Sequence, residues 1–354
     1  MQNFIFPTLL IAGLLAGCSP TPSAPAEDSA SNAGSVPETL TIYSSRHYDS
    51  DRTLYEAFEQ ETGVSVDVRE AGAPQLLETL KAEGANSPAD IVIAADAGAL
   101  WKFQDAGLTQ PLQDAEIDGK IPANLRETDG NWFGLARRVR LVAYDPSRFE
   151  PSDVDSWAKL TSEDKRGEIC VRSSSNIYNL SLLGEIIDRE GEEAASEWAK
   201  GIVANMARNP QGGDSDQIRA VVAGVCGIAI VNHYYWLRMA KGDSEADRAA
   251  TDATRLIVPT FSDGAGAHTN ITGIAITKTA SDTDQATDFI NFLLTKDAQE
   301  LLTVETKELP IIEGANLPDG AELLPDFVAA ETPLETLGLN QSNAQRIYDL
   351  AGWD

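Results

Sequence analysis

Two adjacent phenols carry most of the chemistry legible in this chain. Tyr234 and Tyr235 stand in the run Ile230-Val231-Asn232-His233-Tyr234-Tyr235-Trp236-Leu237-Arg238, at the end of a strand-like stretch from Val225 to Val231. In an open α/β sheet the carboxyl edge of the strands is where ligands bind. A phenolate oxygen is a hard, anionic donor, and among the metals a cell captures, ferric iron suits hard oxygen ligands best. An isolated pair also reads as two aromatics capping a core strand, so the rest of the chain has to decide.

Competing chemistries are thinly represented. The three histidines are His47, His233 and His268, and the chain has no HExxH, CxxC or His-rich cluster, which speaks against zinc or copper. His233 alternates away from Tyr234 on a strand and faces packing. Ser173-Ser174-Ser175 precedes a predicted helix and could cradle a small anion with backbone amides. Neither a P-loop nor a GxGxxG accompanies it, so a nucleotide is not implied. No nucleophile–base pair can be named, and the chain is read as a binder rather than an enzyme.

These residues must be positioned by a chain of 354 residues, too long for one ordinary core and suggestive of two lobes. Its 55 Asp and Glu against 27 Lys and Arg are spread along the chain, giving an anionic surface unsuited to nucleic acid. At the N-terminus, Phe4 to Leu15 is apolar but too short to span a bilayer. Leu15-Ala16-Gly17-Cys18 follows and looks like a bacterial lipobox, although no Lys or Arg precedes the apolar run. Residues 1–17 are therefore read as a signal peptide and Cys18 as the lipidated first residue of the exported chain. Residues 18–38 would be a flexible tether reaching on the order of 25 Å.

Beyond the tether, strand and helix alternate, the pattern of an α/β fold with helices on both faces of a sheet. Strands are predicted at Leu40–Ser44, Val64–Val68 and Ile91–Ala94. Helices follow each, the first capped by Asp49 or Ser50 and closed by Gly63. A second series begins near Leu141: strands at 141–144 and 168–172, helices from about Asn179, over 192–206 and over 214–223, then the strand 225–231. Asn270 to Thr277 reads as a return to the first series. The chain would thus cross between lobes near Ala136–Arg140 and Ala265–Thr269, making a two-strand hinge.

Several stretches together resemble the ferric-iron-binding proteins of ABC importers, particularly the four-tyrosine type of cyanobacteria and other marine bacteria. They are Ser44-Ser45-Arg46-His47-Tyr48-Asp49-Ser50-Asp51, Ser87-Pro88-Ala89-Asp90-Ile91, Val171 to Asn179, and the Tyr234-Tyr235 pair. The resemblance covers nearly all of Leu40 to Asp354. It implies a two-lobed type II periplasmic-binding-protein fold, two mixed sheets flanked by helices, with Fe³⁺ held in the cleft as transported ligand. The expected division is residues 39–138 and 265–311 in an N-lobe, and 139–264 and 312–354 in a C-lobe.

Carried over to this chain, the resemblance makes Tyr48 the ligand from the first lobe and Tyr178, Tyr234 and Tyr235 the ligands from the second. His47 matches a position that coordinates iron in some relatives and stands aside in others. Arg138 and Arg238 match arginines that neighbour the phenolates. The implied partners are an inner-membrane ABC permease and, through Cys18, a membrane; the protein is expected to act in the periplasm as a monomer.

Charge supports this reading independently. Fe³⁺ with four phenolates is a net anion, and burying it needs nearby cations or donors. Arg238 lies three residues past Tyr235, and Arg137, Arg138 and Arg140 crowd the hinge. Cys170 and Cys226 are expected to form a disulfide, as exported chains favour. Each precedes a candidate ligand, Tyr178 or Tyr234, by eight residues, so parallel strands would set them level. The alternative within the same fold is a binder of an organic anion, polyamine or sugar, using Trp101, Trp132 or Trp236 as stacking surfaces.

Overall fold

Nine strands among the described residues build the scaffold: β1 (Thr39–Ser44), β2 (Ser65–Glu70), β3 (Ile91–Ala94), β4 (Phe133–Tyr144), β5 (Ile169–Cys170), β6 (Ile228–Asn232), β7 (Arg255–Ile257), β8 (Thr269–Ile276) and β9 (Leu309–Pro310). The computed structural model describes residues 39–46 and 48–354. The expected signal peptide, lipidation at Cys18 and tether, and the candidate His47, lie outside the described residues.

The strand order is β2-β1-β3-β8-β4-β6-β5, with β7 and β9 also pairing β4. Parallel pairs (β1 with β2 and β3, β5 with β6) mix with antiparallel ones around β8 and β4. β3, β6 and β8 are buried at every residue, as strands covered on both faces must be. β4 explains why the two expected sheets form one path. Its first part pairs β8 as far as Val139 with Thr269, and from Arg140 with Asn232 onward it pairs β6. The crossing on β4 thus lies between Val139 and Arg140.

Apolar side chains gather on either side of that crossing. The first core contains Leu40, Phe58, Phe103, Trp132 and Phe289. Beyond Arg140, one core is built around Trp157, Trp198, Tyr348 and Trp353, and another around Val139, Leu141, Cys170, Cys226 and Leu237. The C-terminal segment serves both sides, since Leu334 and Leu337 join the first core while Ala344 and Ile347 join the second.

Local chemistry moves several element boundaries. The helix Asp49–Thr62 starts one residue earlier than expected, with Tyr48 at its N-cap. Asp51, in the first turn, accepts the Tyr48 backbone N–H at 3.4 Å, so neither Asp49 nor Ser50 caps it. Gly63 closes the helix in the left-handed conformation with φ of 77°. The two helices expected after residue 179 run together over Ile177–Asn205 and break at Gly191, whose φ is 84°. The strand expected over 225–231 starts only at Ile228. Gly227 is the reason: its N–H bonds the Glu168 carbonyl, and a Cβ there would meet the Phe149 ring at 2.5 Å. Likewise the strand expected over 168–172 shrinks to Ile169–Cys170, because the Arg172 and Ser173 carbonyls accept from the Asn179 side chain instead of a neighbouring strand.

Candidate metal centre

The four candidate tyrosines sit at three helix N-termini. Tyr48 is the N-cap of Asp49–Thr62, Tyr178 is the second residue of Ile177–Asn205, and Tyr234 and Tyr235 lie in the first turn of His233–Lys241. The Tyr pair is thus not on a strand end but just past one, on a helix. That placement matters, since a helix N-terminus presents partial positive charge and favours an anion such as phenolate.

The rings meet. The Tyr234 hydroxyl donates to the Tyr178 hydroxyl at 3.0 Å, and the Tyr234 and Tyr235 ring centroids are 4.5 Å apart. Arg238 reaches Tyr48 from the same helix as the pair: its guanidinium lies 4.7 Å from the Tyr235 centroid, 5.1 Å from Tyr234 and 5.9 Å from Tyr48. Arg138 lies 5.6 Å from the centroids of both Tyr178 and Tyr234, and Arg172 is 5.5 Å from Tyr178. Arg46 covers Tyr48 at 5.3 Å. Guanidinium against an aromatic face is itself attractive, and here it sets positive charge beside every phenol.

Burial drives the Tyr178 and Tyr234 phenols well above their ordinary pKa, and Arg138 offsets this only in part. Both are therefore protonated at neutral pH unless a cation displaces the proton. The remaining tyrosines are structural. Tyr348 is fully buried and donates to the Asn179 carbonyl, and Tyr43 donates to Glu83. Tyr55 and Tyr144 belong to the cores.

Behind the phenols stand two buried ionic networks. In one, the Glu308 carboxylate takes Arg46 at 3.1 Å and Arg138 at 2.6 Å, while Arg46 also pairs with Asp51 at 2.7 Å. In the other, Asp214 bridges Arg140 at 2.8 Å and Arg172 at 3.3 Å, and Arg140 also donates to Asn179. Of the three hinge arginines, Arg138 thus faces the tyrosines, Arg140 braces the helix that carries Tyr178, and Arg137 makes no ion pair among the described residues. Asp96, whose carboxyl burial pushes up to about 6 against the pull of Arg138, accepts from Ser181 and Asn270.

The two described histidines are committed to other partners, although the His233 ring packs edge-on against Tyr234 with centroids 5.6 Å apart. His233 is on the helix rather than on a strand, and fully buried. Its Nδ1 accepts the Val139 N–H at 3.2 Å, so Nε2 carries the proton toward the Lys307 carbonyl at 3.0 Å. Burial holds its pKa down to about 4. His268 pairs with Glu185. Among the described residues no group of three His, Cys, Asp or Glu could hold a metal.

Cys170 and Cys226 are bonded, with Cα atoms 5.9 Å apart. The expected reason does not hold: β5 and β6 are parallel, but Cys170 stands opposite Ala229, and Cys226 lies in the turn before β6. The serine run is also spoken for, as Ser173 and Ser175 bond each other and Asn176 caps the helix by accepting the Tyr178 N–H. Trp132 and Trp236 are buried with their ring N–H groups donating to Gln104 and Thr254, so neither offers a stacking surface. Trp101 packs on Gly338, where a Cβ would meet it at 2.4 Å.

Arg46, Arg172, Asp214 and Glu308 escaped sequence reasoning as site residues. Arg46 and Arg172 stand inside the quoted motifs, two residues before Tyr48 and six before Tyr178, so their spacing was a usable signal. Nothing local marks Glu308, which is 262 residues from Arg46.

Residues 45–300 match the family described as bacterial extracellular solute-binding protein. Iron uptake protein A1 of Synechocystis sp. is 35% identical over 98% of this chain and 95% of its own length. Iron uptake protein A2 of the same organism is 37% identical over 91% of this chain and 92% of its own. The Trichodesmium protein IdiA (FutA), solved in complex with iron and citrate ligands, superposes with a TM-score of 0.85 at 37% identity, over 89% of this chain and 100% of that one.

Proposed function

The chain belongs to the bacterial extracellular solute-binding protein family, and we propose that it captures ferric iron with tyrosinates in a cleft and passes it to an ABC permease. It has the periplasmic-binding-protein fold and is the ferric-iron-binding component of an importer, working in the periplasm. Tyr48, Tyr178, Tyr234 and Tyr235 are the ligands in this reading, with His47 a further candidate donor. In this reading the protein is a binder rather than an enzyme; it acts as a monomer, anchored through lipid on Cys18 after removal of residues 1–17.

One observation carries the ligand assignment: four phenols from three helix N-termini converge around Arg138 and Arg238. Fe³⁺ with four phenolates bears one net negative charge. The Asp51–Arg46–Glu308–Arg138 network is neutral and Arg140–Asp214–Arg172 carries one positive charge. Arg238 adds another, so the surroundings suit a buried anion.

Iron would load by displacing phenolic protons that burial otherwise keeps in place. With residues 39–138 and 265–311 as one lobe and the remainder as the other, Tyr48 approaches from the first and the other three from the second. Closure about the two crossing strands, β4 and the approach to β8, then completes the shell. The same-fold alternative of an organic ligand loses its stacking tryptophans and is not favoured. Titrating the iron-stripped protein with ferric citrate tests the reading: a visible phenolate-to-iron charge-transfer band with one iron per chain is expected, and a colourless protein would overturn it.

A further inference from the structure

The Glu308 carboxylate bonds Arg46, Arg138 and Thr272, and through the two arginines it holds the cations on both sides of the candidate ligands. Its carboxylate is shared between Arg46, whose guanidinium lies over Tyr48, and Arg138, whose guanidinium lies over Tyr178 and Tyr234. Thr272 donates a third bond to it at 2.9 Å. Both arginines and Glu308 are buried, so the pairing is shielded from solvent. The backbone is bent to place it: Lys307 has φ of 61°, a conformation that side-chain-bearing residues adopt at a cost, and its carbonyl receives the His233 ring next to Tyr234. The Lys307–Glu308 corner thus touches the surroundings of Tyr48, Tyr178 and Tyr234 at once.

We propose that Glu308 is a positioning residue that sets the preference of this site for ferric over ferrous iron. The inference rests on the tyrosinate reading above. It follows from charge. The ferric complex carries one negative charge and the ferrous complex two, so every cation near the phenolates favours the ferrous state and every anion disfavours it. Unopposed, Arg46 and Arg138 would pull toward Fe²⁺. Glu308 opposes both while fixing their guanidiniums against the rings. Removing its charge should release that pull, whereas removing Arg46 should strengthen the ferric preference, because Asp51 and Glu308 would then face Arg138 alone.

The test compares the Fe³⁺/Fe²⁺ potential of full-length wild type, Glu308→Gln, Arg46→Gln and the double variant, each loaded from ferric citrate. Expected are a rise for Glu308→Gln of about tenfold in relative ferrous affinity, about 59 mV for one electron, a fall for Arg46→Gln, and a double variant near wild type. An exposed-charge control, Glu305→Gln, should leave the potential alone; its carboxylate accepts the Ser50 N–H on the surface. If Glu308→Gln does not fold, Arg46→Gln decides the matter by the sign of its shift. Unchanged or same-signed shifts in the two single variants would overturn the proposal. A wild type that takes up no coloured iron would instead overturn the tyrosinate reading beneath it.

Discussion

Arg238→Gln separates the electrostatics of the site from the stability of the fold. The Arg238 guanidinium lies 4.7 to 5.9 Å from three phenol rings and pairs with no carboxylate among the described residues. Its pKa is raised: burial lowers it, and the oxygens of Tyr48, Tyr234 and Tyr235 more than compensate. At about 5 Å, one unit charge against a net charge of minus one is worth about 3 kcal/mol at an effective dielectric constant near 20. Arg238 is partly open to solvent, which about halves the figure. Iron affinity should therefore fall about tenfold, corresponding to about 1.4 kcal/mol. Stability without iron should hardly change, since no buried anion is uncovered. Arg138→Gln differs in kind: it strips a buried Glu308 of one partner and should cost about 3 to 5 kcal/mol of folding stability. The assay is citrate competition followed by the charge-transfer band, beside urea denaturation of the stripped protein. Undiminished iron affinity in Arg238→Gln, or a loss of stability as large as that of Arg138→Gln, would refute the reasoning.

Tyr178→Phe and Tyr235→Phe should each weaken iron binding strongly while melting close to wild type, because the ring's packing survives and only the anionic donor is lost; calorimetry and the same competition assay check both. Acid should release iron steeply. Burial raises the Tyr178 and Tyr234 pKa values, so these groups rebind protons readily as pH falls, and displacing four phenolates costs up to about 10⁴-fold in affinity per pH unit. Iron retained unchanged down to about pH 4 would point to other ligands. Replacing both Cys170 and Cys226 with alanine opens a link spanning 56 residues and should cost about 4 kcal/mol, read as a lower urea midpoint; a loss under about 1 kcal/mol would mean the link does little for the fold.

The strand–helix alternation and the approximate helix positions were legible because each rests on local apolar periodicity. The phenols were legible for a similar reason, as each stands next to a helix start that its neighbours announce. What failed was whatever depends on a distant partner. Val225 and Cys226 have strand-like composition, but the close approach of Gly227 to Phe149 and Glu168 delays β6. The disulfide was foreseen from two unpaired cysteines, yet its geometry follows the turn before β6 and not a level register. Trp132 and Trp236 looked available for stacking because sequence does not reveal that Gln104 and Thr254 take their ring N–H groups inside the core. Glu308 is the extreme case: its partners come from residues 46, 138 and 272, and only the folded chain brings them to it.

The central claim is that these four phenols hold the iron. Crystals of the iron-loaded protein, with anomalous scattering recorded on both sides of the iron edge, test it most directly. A single iron peak is predicted within bonding distance of the hydroxyl oxygens of Tyr48, Tyr178, Tyr234 and Tyr235, with Arg138 and Arg238 beside the shell. An iron peak elsewhere, or one reached by fewer than two of these tyrosines, would contradict it.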